Sequence, residues 1–161
     1  MFRLELIHPL SVHFPIVLGV FLPIIKIAEL AIKNSENKKK ISLLFLCVLT
    51  LTLVTAFISM YLGDMAYDEV RGKICNMAMV DKHEDLSKNF AIILFIVFAI
   101  ETASLVLSDM KKTKRFDLVR NTIVSIALIA STYFLVKTAH SGATLVYDHG
   151  VAVIQNTKDC Q

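Results

Sequence analysis

The chain has 161 residues, 55% of them hydrophobic and 19% charged, with a formal net charge of +3. A mean hydropathy of +0.63 and charges clustered between long apolar runs exclude an ordinary soluble domain and indicate a membrane protein. With only five glycines and three prolines there is no linker, and no internal repeat is visible, so residues 1–161 read as a single integral membrane domain.

The first apolar run, Leu10–Ile32, is interrupted only by Lys26 and Glu29. His8-Pro9 precedes it, and proline in a first helical turn loses no hydrogen bond. Only Arg3 forms a basic leader and no A-x-A site follows, so the run reads as a retained span rather than a cleaved signal. Pro15 and Pro23 should kink it. The second run, Ile41–Gly63, carries no charge, and Cys47 within it reads as a small buried apolar residue.

Asp81-Lys82-His83-Glu84 has the D-x-x-E pattern of a capping box and predicts the start of the third helix near Asp81. That helix continues through Phe90–Leu107 with one charge, Glu101. The fourth run, Thr122–Val136, reaches a spanning length only with its polar flanks. Open strands cannot cross lipid, so the expected fold is an all-α, four-helix transmembrane bundle running up-down-up-down. Its helices are expected over about 9–32, 41–63, 82–108 and 119–140.

The 33–40 and 109–121 turns hold nine lysines and arginines, against six in the longer total length on the other side. The basic turns should face the cytoplasm and both termini the outside, which suits a bacterial or archaeal cytoplasmic membrane. This topology accounts for the basic residues without nucleic acid. It also places all five histidines at the outer end.

His13, His83 and His140 come from three different helices at one depth, and neutral imidazole binds haem iron, zinc and copper. They are the ligand candidates for a haem b, with His8 as a supporting hydrogen-bond partner or a fourth ligand. The small residues Ala139, Ser141, Gly142 and Ala143 would admit a flat macrocycle, and Phe14, Tyr61, Phe90 and Tyr147 could wall it.

A softer set, Cys75, Met77, Met79 and His83, offers a copper site if the segment is extended, since a period of two would align the first three. Cys75 also has Cys160 as a possible disulfide partner on the same outer side. Lys26 and Glu101 lie at matching depths near the inner end and should pair, with Glu29 competing. Eighteen residues make five turns, so His83 and Glu101 share one face with Ser87, Phe90, Leu94 and Val97. That face should point into the bundle.

The segment His8-Pro9-Leu10-Ser11-Val12-His13-Phe14-Pro15 resembles the H-P-x-x-V-H-F-P opening of the prokaryotic membrane-protein family DUF2231. His140-Ser141-Gly142-Ala143-Thr144-Leu145-Val146-Tyr147-Asp148-His149-Gly150-Val151 is similar to that family's G-G-x-L-V-Y-x-H-G-V ending, with Ala143 replacing the second glycine. The resemblance spans the chain and implies a four-helix membrane protein, but no activity.

The histidine chemistry predicts a small haem protein that passes electrons, with a quinone or a periplasmic redox protein as partner. A copper or zinc binding or transport module is the alternative. A third reading is a structural anchor subunit or homo-oligomer with no cofactor. No nucleophile elbow, phosphate loop or HExxH is present, so independent catalysis is not expected.

Overall fold

The computed structural model describes residues 7–70, 77–106 and 114–148. They form five helices: α1 (Ile7–Ser11), α2 (His13–Ala31), α3 (Ser35–Val70), α4 (Met77–Val106) and α5 (Lys114–Tyr147). No strand occurs among the described residues.

α1 and α2 form one span interrupted at Val12, whose backbone stays in the right-handed helical region (φ −64°, ψ −20°). Pro15 has no N–H to give the Ser11 carbonyl, so one rung of the ladder is missing there. The flanking rungs survive, with Val12 N–H on the His8 carbonyl and Ile16 N–H on the Val12 carbonyl, both at 3.2 Å. The short turn to α3 is set by Asn34, whose side-chain oxygen accepts from the N–H groups of Glu36 (2.9 Å) and Asn37 (3.2 Å). That is the normal work of an N-capping asparagine.

Among the described residues four helical stretches are long and apolar enough to cross a bilayer: Ile7–Ala31, Ser35–Asp68, Met77–Val106 and Lys114–Tyr147. They overrun the apolar runs. α3, with 36 residues, is about 54 Å long at 1.5 Å per residue, against roughly 30 Å of hydrocarbon. α4 begins at Met77, so Asp81 lies inside the helix rather than capping it.

α2 packs on α3 and α5, and α4 packs on the same two helices. α2 and α4 are therefore one diagonal of the bundle, α3 and α5 the other. Contacts join the start of one helix to the end of the next: His8 meets Ser59, and Arg120 of α5 donates to Ser104 near the end of α4. Neighbouring helices are thus antiparallel.

A core of Leu22, Phe45, Leu49, Leu94, Val97 and Val124 runs along the axis. The bundle is otherwise inside-out. Large apolar residues such as Phe21, Phe57, Phe95 and Ile129 are exposed, while Lys26, Glu29, Thr52, Ser59, Glu101, Ser104 and Ser131 are buried. Lipid solvates the apolar exterior, so polar groups can collect only where helices face one another. Cys47 follows this rule and corrects the expectation that it is buried: it is exposed on the outer surface.

Candidate functional site

Two groups of polar side chains occupy the two ends of the bundle interior. At the end of the basic turns lies a buried charge cluster. Lys26 Nζ donates to Glu29 Oε2 at 2.9 Å and to Glu101 Oε1 at 2.8 Å. The side chains are 2%, 2% and 6% exposed. The two acids that compete for Lys26 in the sequence thus share it, one a turn away on α2 and one across the diagonal on α4. The Phe45 ring lies 5.2 Å from the ammonium, close enough for a cation–π attraction.

At the other end the histidines separate into two kinds. His8 and His83 turn inward, their ring centroids 6.4 Å apart and their planes at 84°. His13 and His140 are exposed. His13 Nδ1 hydrogen-bonds the Leu10 carbonyl of α1 at 3.3 Å, within its own span. His140 borders an open hollow of about 180 Å³ with Ala143, Thr144, Tyr147 and Asp148. The structure therefore pairs His83 with His8, and not with His13 or His140. Five residues along a helix rotate by about 140° beyond a full turn, so His8 and His13 cannot both face inward.

The surroundings of the inward pair define its chemistry. His8 Nδ1 lies 2.9 Å from the Ser59 carbonyl oxygen on α3. A carbonyl only accepts, so His8 Nδ1 carries the proton. His83 Nδ1 lies 2.8 Å from Ser141 Oγ on α5. The Ser141 hydroxyl proton is already given to the Thr138 carbonyl (2.9 Å), so His83 Nδ1 is the donor here too. In each neutral ring Nε2 then holds a lone pair. Imidazoles fixed through Nδ1–H in this way are the usual arrangement of histidine metal ligands.

Two glycines make the seats. A Cβ built on Gly63 would lie 3.1 Å from His8 Cε1, and one on Gly142 would lie 2.9 Å from His83 Cε1. The small-residue stretch of the fourth span thus does admit a ring, but in this structure the ring is the His83 imidazole. Of the aromatic residues expected to wall the site, Phe90 is buried, whereas Phe14, Tyr61 and Tyr147 face outward.

The soft-ligand set does not form the expected row. Met77 and Met79 lie in the first turn of α4, where positions two apart point to different sides. Cys75 and Cys160, and with them the disulfide, lie outside the described residues, as does His149. Among the described residues no group of three or more His, Cys, Asp or Glu side chains could hold a metal ion.

The sequence offers one signal for the inward pair that motif spacing does not. His8 lies eighteen residues before Lys26, just as His83 lies eighteen before Glu101. Five turns of helix put each histidine on the face of its buried charge.

A family model described as "Predicted membrane protein (DUF2231)" matches residues 5–155. No curated protein and no solved structure matches the chain.

Proposed function

We propose that this chain, which belongs to the DUF2231 family of predicted membrane proteins, is a b-type haem protein with an electron-transfer role, in which His8 and His83 would hold the haem. The observation that carries the reading is the inward histidine pair. Two imidazoles on opposite helices, each held through Nδ1–H by a neighbouring helix, stand with centroids 6.4 Å apart. Two imidazoles binding one metal from opposite sides at about 2.0 Å each have centroids roughly 6 Å apart.

The donor count favours haem over a bare ion. Structural zinc takes four protein ligands and catalytic zinc three, and among the described residues two converge here. A porphyrin brings its own four nitrogens and asks two of the protein. Haem would supply reversible one-electron chemistry, and the protein's part would be to hold the two rings and exclude water. By the lysine and arginine distribution the histidine end faces outward in a prokaryotic cytoplasmic membrane. A quinone or a periplasmic redox protein is then the fitting partner.

The test is spectroscopic. Full-length protein expressed with ample haem should purify with a Soret band that shifts on dithionite reduction. The alternative of a copper ion held between the same two nitrogens predicts copper without iron in elemental analysis. A colourless protein containing neither metal would leave the structural-anchor reading.

A further inference from the structure

The buried positions of α2 are Pro15, Gly19, Leu22, Lys26 and Glu29. Moved by 75 residues they become Phe90, Leu94, Val97, Glu101 and Ser104, all buried in α4. The same shift carries His8 onto His83. In α3 the buried Phe45, Leu49, Thr52 and Ala56 move by 79 residues onto Val124, Leu128, Ser131 and Leu135, buried in α5. That shift also carries Gly63 onto Gly142 and Ser59 onto Thr138.

Equivalent residues meet: His8 touches His83, and Lys26 touches Glu101. Contact between equivalent positions is what a two-fold axis produces. The side chains differ at most of these positions, which is why the sequence shows no repeat.

A second pair of groups occupies equivalent positions, Ser59 on α3 and Thr138 on α5. Among the described residues, Ser59 Oγ and Thr138 Oγ1 are buried with no hydrogen-bond partner. Each lies one helical turn before a glycine seat. Elsewhere the hydroxyls of Thr50, Thr52, Thr55, Thr122, Thr132 and Thr144 bond the carbonyl four residues back. Thr102 Oγ1, also unpartnered among the described residues, adjoins Glu101 at the other end. A buried hydroxyl left unpaired is costly, and two at equivalent places beside the paired histidines mark groups that wait for a ligand.

We propose that the chain is two copies of one helical-hairpin unit around a two-fold axis, and that Ser59 and Thr138 are a paired set of ligand contacts related by that axis. The ligand meets two imidazole nitrogens and two hydroxyl donors, in equivalent pairs. It is a metal-centred group carrying acceptor oxygens. Its identity as haem rests on the reading above, whereas the paired site does not.

The test uses full-length S59A, T138V and the double variant in detergent, with T132V as a control and haem b as the probe. Without haem, S59A and T138V should melt at or above the wild-type temperature, because each removes an unpaired hydroxyl. With haem, each should lose roughly two- to tenfold in affinity, and the double variant about the product, while T132V keeps wild-type affinity. Undiminished affinity in the double variant, or a loss confined to one hydroxyl, overturns the paired site. A wild-type chain that takes up no haem overturns the haem reading instead. The ligand-free melting temperatures then decide the paired site, which falls if either variant melts below wild type.

Discussion

Replacing Lys26 with methionine removes a buried charge while keeping an unbranched side chain of similar reach. Its ammonium holds Glu29 at 2.9 Å and Glu101 at 2.8 Å. Methionine leaves both carboxylates buried without that donor. Hydrogen bonds to charged groups contribute about 1.5–3 kcal/mol each, so two set a loss of roughly 3–6 kcal/mol. Breaking a buried ion pair from one side costs about 3–5 kcal/mol in general, and the two ranges agree. The Phe45 contact at 5.2 Å adds less, on the order of 1 kcal/mol.

For a chain of this size each kcal/mol moves the midpoint by roughly 2–4 °C. The K26M protein should therefore melt about 6–24 °C below wild type, followed by circular dichroism in detergent. The triple variant K26M/E29L/E101L should regain most of that loss, because the charges leave together. A K26M midpoint within 2 °C of wild type would refute a dry, mutually dependent cluster. A triple variant less stable than K26M would refute the attribution to unpaired carboxylates.

G142A places a methyl group 2.9 Å from His83 Cε1, and G63A places one 3.1 Å from His8 Cε1. The helix gains about 1 kcal/mol from alanine and loses about as much from the displaced histidine bond. Folding stability should thus change by less than about 1 kcal/mol while haem per protein falls, more for G142A; a wild-type spectrum in G142A would sink the seat assignment. Cys47 is exposed on the outside of α3, so in a C75S/C160S background a lipid-soluble maleimide should label it and a membrane-impermeant one should not. Equal labelling by both reagents would contradict a lipid-facing surface there. A cysteine at Asn34, in the turn before α3, should react with the impermeant reagent only after cells are opened, and reaction in intact cells would reverse the orientation.

The four spans were legible because lipid demands long apolar runs whatever the protein does. Their ends were not, because α3, α4 and α5 continue into polar residues where hydropathy carries no signal. Lys26 and Glu101 could be matched by counting residues from the basic turns, since depth in a bilayer is a one-dimensional quantity. Choosing between His8 and His13 needed the rotation of the first span about its own axis. That rotation depends on the interruption at Val12 and the missing bond at Pro15. The internal two-fold was hidden for another reason: burial recurs at shifts of 75 and 79 residues while residue identity does not, with Gly19 answering to Leu94 and Lys26 to Glu101.

The most direct test of the account is the reduced-minus-oxidised visible spectrum of wild type beside H8A, H83A, H13A and H140A, purified at equal haem supply. A b-type spectrum should be lost in H8A and H83A and kept in H13A and H140A, whose histidines are exposed. A colourless wild type, or a spectrum lost in H13A or H140A but kept in H8A, would contradict it.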